Sequence, residues 1–199
     1  MVHTADKHVR YGFAVASGAA TIVPLAKASL NITGPLVDGA LAKGATSVDI
    51  DAVELFGSIR AGESFLINGE PHSADAAVDA SSNAATIDIT TNPMLQAAPD
   101  NAPCVFTRRE ILLGSVSLVV AIAGVLWISK NKSGAASPTD IIGSSTTGMT
   151  ALAGIPQAWA LSAWGLAALE PGWDLTLESS AAVGAIFGHA SFTERTIDE

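Results

Sequence analysis

Residues 111–128 read ILLGSVSLVVAIAGVLWI, eighteen residues without a charge, preceded by RRE and followed by SKNK. The fold turns on how this run is read. About eighteen apolar residues lie at the lower edge of what crosses ~30 Å of hydrocarbon as a helix. Basic residues flank both ends, so they set no orientation. The composition points the other way. Ile111, Val116, Val119, Val120, Ile122, Val125 and Ile128 are β-branched, and such residues favour strands in water. Ser115 and Ser117 alternate with Val116 and Leu118, which is a strand period. The stretch AIAG at 121–124 divides the run as a bend or bulge does. A strand buried on both faces reads as a continuous apolar run.

The residues beyond the run favour strands. DIIGSSTTGMTAL at 140–152 is strand and turn material, and Glu170-Pro171-Gly172 is a strong turn signal. In WDLTLE, Trp173, Leu175 and Leu177 share one face, and Asp174, Thr176 and Glu178 share the other. AAVGAIFGHASFTE at 181–194 reads as a long closing strand. A membrane helix does not explain these strands, whereas a sandwich explains both parts.

Upstream, Val48 and Ile50 alternate with Asp49 and Asp51, the mark of a half-buried strand. Gly62 sits where a tight turn needs a positive φ, and Phe65 and Ile67 continue the alternation after it. Pro71 makes the next segment an edge or a loop. ATIDIT at 85–90 is another alternating strand, Pro93, Pro99 and Pro103 mark turns, and Cys104-Val105-Phe106 closes the block. Four or five short strands in about 70 residues predict a small barrel or compact sandwich. The N-terminal stretch is read as extended. Asp6 among its early basic residues, and Ser17, Gly18 and Pro24 after them, do not fit a secretory signal.

The chain has 199 residues, with 15% charged and a net charge of −9. An ordinary soluble domain carries roughly 25% charged residues, so either this chain meets a membrane or much of its surface is covered by partners. Lys and Arg are scattered, with no basic stripe to follow a phosphate backbone. No nucleic-acid partner is expected. The single cysteine, Cys104, excludes an intrachain disulfide and reads as a small buried residue at a strand start. His3, His8, His72 and His189 lie far apart without metal-ligand neighbours. The Asp49/Asp51 pair lacks the Gly-bearing acidic loop of a calcium site. GSSTTG at 143–148 lacks the lysine of a phosphate loop. These readings predict no catalytic set, no metal and no cofactor. Trp127, Trp159, Trp164 and Trp173 all fall in the second half. On one continuous strand Trp159 and Trp164 would face opposite sides, which makes them the interface candidates.

The stretch from Gly44 to Phe106 resembles a β module of tailed-bacteriophage virion proteins that reads G-x-I-x-A-G-[DE]-x-F-x-I-x-G and then I-x-I-x-P-x-L. Gly57, Ile59, Ala61, Gly62, Glu63, Phe65, Ile67 and Gly69 match. Ile87, Ile89, Pro93 and Leu95 match loosely, with Thr91-Asn92 displacing the proline, and EPHSADAAVDA at 70–80 departs from the pattern. The second half resembles a jelly-roll-type domain of phage head and tail accessory proteins, through Leu169, Pro171, Gly172, Leu175, Leu177 and Ser179. Together these resemblances imply a mainly β protein. An extended N-terminal arm (1–35) would lie on a neighbour, followed by a small barrel-like β module (36–107) and a jelly-roll-like sandwich (108–199). They imply a virion structural protein rather than an enzyme: a capsid decoration or cement protein, assembled in the bacterial host cytoplasm. It would sit as a homotrimer on the capsid exterior, where major capsid subunits meet. A neck, tail or fibre component that binds a host glycan is the second reading. A protein anchored in a membrane through 111–128 is the third.

Overall fold

In the computed structural model the decisive run is two strands joined by a bend. The structure describes residues 6–15, 22–132, 139–142, 148–161, 168–179 and 183–197. Along the chain lie β1 (Lys7–Val15), β2 (Ile22–Lys27), β3 (Leu36–Val37), β4 (Ser47–Asp51), β5 (Gly57–Ile59) and β6 (Ser64–Ile67). Then come β7 (Glu70–Ser73), β8 (Val78–Ala80), β9 (Ala84–Asp88), β10 (Cys104–Phe106), β11 (Arg109–Val120) and β12 (Gly124–Lys132). The last are β13 (Thr139–Ile142), β14 (Met149–Ala151), β15 (Gln157–Ala160), β16 (Ala168–Leu169), β17 (Trp173–Ser179) and β18 (Ile186–Thr196). Among the described residues no helix is long and apolar enough to cross a membrane.

The run is apolar because β11 and β12 enter different layers of one sandwich. The chain bends at Ala121 and Ile122, whose N–H groups donate to Ala185 and Val183 at 2.9 Å. One five-stranded sheet has the order β1-β18-β11-β15, with β16 also on β11. The other has the order β13-β12-β17-β2, with β14 also on β12. Ile111, Leu113, Val116, Leu118 and Val120 from the first sheet share a core with Leu126, Ile128, Leu175 and Leu177 from the second. Burial of that shared face is the main force holding the layers together. Trp127 is buried as well.

The N-terminal residues are extended, but they are not an arm. β1 pairs antiparallel with β18 over nine consecutive positions, from Lys7↔Glu194 to Val15↔Ile186. β2 pairs with β17. Both are strands of the sandwich formed by the second half of the chain. The local reason is visible in β1, where Phe13 and the inward-facing Val9 and Tyr11 alternate with the outward-facing His8 and Arg10. If β14 and β16, which lie off the main path of each sheet, are left aside, β1, β2, β11, β12, β13, β15, β17 and β18 are the first to the eighth in chain order. One sheet then runs first-eighth-third-sixth, and the other second-seventh-fourth-fifth.

Everything from β3 to β10 is thus inserted between the second and third of these strands. It forms three small antiparallel sheets, β10-β6-β7, β3-β4-β9 and β5-β8, none of them closed into a barrel. They surround a second core that includes Val48, Ile50, Ile59, Phe65, Ile67, Ile87 and Phe106. The alternation expected at Val48 and Ile50 is present, with Ser47, Asp49 and Asp51 exposed. Gly62 has φ +76°, as its turn requires. Pro71 lies in β7, at the edge of its sheet, where a missing N–H breaks no ladder.

If β1 is part of the sandwich, the chain lacking residues 1–15 loses one edge of the first sheet and uncovers Phe192 and Ala190. It should be insoluble, or its Tm should fall by more than about 10 °C, since 1 kcal/mol is worth ~2–4 °C in a chain this size. Thermal unfolding followed by circular dichroism measures this. A Tm within 1 °C of the full chain would restore the arm.

Candidate functional site

The segments that lead into and out of the inserted module run side by side. Cys104 N–H donates to Pro35 O at 3.0 Å, and Phe106 N–H to Thr33 O at 2.8 Å. Arg109 N–H donates to the buried Ser29 Oγ at 2.8 Å. Module and sandwich meet at these linkers. Gly57 and Gly172, with φ of +116° and +90°, approach backbone to backbone there. A Cβ on Gly57 would lie 2.5 Å from Ser29 O, and one on Gly172 would lie 2.3 Å from the Phe56 ring. Phe56 meets Trp173 edge to face at 6.4 Å. Lys130 covers the Trp173 ring at 4.4 Å, and Lys132 covers the Phe56 ring at 4.6 Å. Lys130 also pairs with Glu170. Burial pushes the Glu170 carboxyl up, but the hydrogen bond and charge of Lys130 outweigh it and hold the group below its ordinary value.

Charged side chains complete the seam. Glu63, on the turn before β6, accepts from Arg109 Nη2 at 2.8 Å, with the carboxylate almost wholly buried. The same carboxylate accepts from Arg60 N–H at 3.0 Å. Arg60 Nη1 donates to Glu194 of β18, and its Nη2 donates to Lys27 O at 3.0 Å. Lys27 Nζ pairs with Asp79 at 2.6 Å, and Asp79 also accepts from Ser58 Oγ at 2.7 Å.

Beside this seam the sandwich opens into a cleft of about 380 Å³ between the edge strands β1 and β2. Its floor is apolar, formed by Leu25, Ile111 and Phe192, with Val9 and Tyr11 on the β1 side. Arg60, Lys27 and Glu194 stand at its rim, and all three are engaged with one another or with the module, as described. The cleft therefore offers apolar contact and shape. Its rim cations already have anionic partners.

A second cavity lies in the module beside Glu70, Pro71 and Gln96. Glu70 accepts the N–H groups of Leu95 and Gln96 at 2.6 and 3.2 Å. His72 Nδ1 donates to Asn92 O at 2.9 Å, and its Nε2 lies 3.3 Å from Glu70. The His72 side chain is fully buried. The pair pins the loop 91–98 and presents Leu95, which is 66% exposed, at its tip.

The residues singled out from sequence are dispersed. Trp159 lies in β15 opposite Val116 and is half-buried against the sandwich core. Trp164 lies outside the described residues, as does His3. His8 bonds Thr193 and His189 bonds Arg10 on the outer face of the first sheet, far along the chain from His72. The described residues contain no group of three or more His, Cys, Asp or Glu able to hold a metal. Cys104 is buried at the start of β10, and burial pushes its thiol up to about 12. Sequence reasoning did not find the Arg60–Glu194 or Glu63–Arg109 pairs. Their partners lie 134 and 46 positions apart, and no local pattern links them. No protein-family model, curated protein or solved structure matches this chain.

Two measurements probe the site. Arg109→Met leaves the buried Glu63 carboxylate uncompensated and should cost about 3 kcal/mol. Adding Glu63→Gln should recover part of the loss, giving a coupling of about 2 kcal/mol in denaturant titrations; additive losses would contradict the pair. Burial raises the Cys104 thiol from its ordinary 9.0 to about 12 in the folded chain. Below pH 9 the thiol is protonated in both states and has no effect. Between pH 9 and 12 the unfolded chain loses the proton first, so stability should fall by roughly 1.4 kcal/mol per pH unit from this group. The difference between the wild-type chain and Cys104→Ala, measured at pH 8 and pH 10.5, isolates that slope. No change in the difference would show an exposed thiol.

Proposed function

We propose that this chain is a structural protein of a tailed-bacteriophage virion, a head decoration or cement protein. In this reading its larger unit is a jelly roll and its smaller unit is a binding module inserted into it. The observation that carries the reading is the strand order: first-eighth-third-sixth facing second-seventh-fourth-fifth. That is the order two interlocked Greek keys give, and jelly rolls of this kind build viral capsid and lectin domains. Fold alone leaves function open. The resemblance of the β3–β10 region to phage virion modules is what directs the reading to a virion.

The chemistry of the surface supports a binding role. Val105, Leu66 and Pro71 face one another across β10, β6 and β7 and are all exposed, Val105 at 49%. Leu95 stands on the pinned loop next to β7. Covering a few hundred Å² of such surface at ~25 cal/mol per Å² contributes several kcal/mol per contact before association costs. Repeated over a shell, that resists pressure from within. The seam suits this task, because the ion pairs and the Gly57–Gly172 approach fasten the binding module to the sandwich. A neck, tail or fibre role is the competing reading. For its glycan-binding form, the Trp173 ring is covered by Lys130 and Trp159 is half-buried against the core, while Trp164 lies outside the described residues.

The test is copy number and attachment. Quantitative mass spectrometry of particles carrying this chain should find hundreds of copies each. Leu66→Glu with Val105→Lys, an opposite-charge pair across β6 and β10, should abolish attachment to the shell while leaving the Tm of the free protein unchanged. Three, six or twelve copies, or undiminished attachment of the double variant, would contradict the reading.

A further inference from the structure

The sandwich has four outer edges, and they are not alike. β2 carries Pro24 and a register shift against β17 at Leu175/Thr176, both of which spoil an edge for further pairing. β13 and β15 have four residues each. β1 has nine residues and no proline, and its register against β18 is unbroken. Its other side pairs with no strand among the described residues. A long, regular, unpaired edge offers a ladder of N–H and C=O groups to another extended chain.

What lies beneath that edge narrows the partner. The apolar cleft opens along β1, and Tyr11 stands over it with 44% of its surface exposed. The rim cations Lys27 and Arg60 already hold Asp79 and Glu194, so an anionic ligand finds no unpaired charge. The cleft fits an extended strand with apolar residues at every second position on its inner face. β1 itself is such a strand, with Val9, Tyr11 and Phe13 on that face.

From the free edge, the cleft and the order of side chains along the edge, we infer that two copies of this chain pair through β1, antiparallel about a twofold axis at Tyr11. Tyr11 is the middle residue of Lys7–Val15, so pairing about it uses the whole strand, roughly 30 Å at ~3.3 Å per residue. In this register Tyr11 meets Tyr11 of the second copy and Val9 meets Phe13, over the two clefts. On the outer face Arg10 meets Gly12 and His8 meets Ala14, so each large side chain lies opposite a small one. No like charges are directly opposed. The two Arg10 side chains are diagonal neighbours, and each is already bonded to its own His189 at 3.1 Å. Such an isologous contact closes on itself and does not propagate into a fibre. It makes a twofold pair the building unit in place of the expected trimer, and it does not depend on the shell role.

Sedimentation equilibrium of the full chain at micromolar concentration tests it. The expected mass is twice the 20.2 kDa chain. Gly12→Arg has open space for its side chain in the single chain but sets a second arginine against the partner's Arg10. It should raise Kd at least ~100-fold with an unchanged Tm. Arg10→Glu combined with Gly12→Arg places opposite charges across the same register and should restore the pair. If Gly12→Arg alters the fold, Tyr11→Glu takes its place as the disrupting variant. A monomeric or trimeric wild-type chain, an unaffected disrupting variant, or failure of the charge swap to restore pairing would overturn the inference.

Discussion

The pairing of β1 with β18 is the constraint on which the rest of the structure depends. It joins residues 187 positions apart at Lys7↔Glu194, so the first sheet is complete only when both ends of the chain are in place. Contacts of such sequence separation carry a large closure entropy. The inserted module lowers the effective separation within the sandwich. By holding Ser29 against Arg109, eighty positions on, it brings the end of β2 beside the start of β11 without an open loop between them.

The same geometry explains where the charges are. The chain has few Lys and Arg, yet Lys27, Arg60 and Arg109 all lie at one seam with Asp79, Glu194 and Glu63. Partly buried pairs of this kind add little net stability against a well-packed apolar alternative, but losing one partner is costly. Their effect is to fix how the module sits on the sandwich. Apart from the paired charges of the seam, the Val105–Leu66–Pro71 row on the module and the cleft under β1 present apolar surface.

Much of the strand content was legible because a two-residue period is local. Val48 and Ile50, Phe65 and Ile67, and Leu175 and Leu177 announce buried faces within a few residues, and the bend at 121–124 was visible in AIAG. The buried Cys104 was legible for the same reason. The division of the chain was harder to read. Val9, Tyr11 and Phe13 share one face of β1, but nothing near them in sequence names β18 as the partner, so the segment reads locally as an extended arm. The cleft was illegible for that reason, since its walls come from β1, β2, β11 and β18. The seam pairs depend on the same long-range closure. Spacing alone makes Trp159 an interface candidate; opposite Val116 it is half-buried against the sandwich core.

Residue-resolved hydrogen exchange of the native chain tests the central claim most directly. If β1 belongs to the sandwich, those of its amides that face β18 should exchange nearly as slowly as the amides of β18 itself. Uniformly fast exchange across residues 7–15, with β18 still protected, would contradict the account.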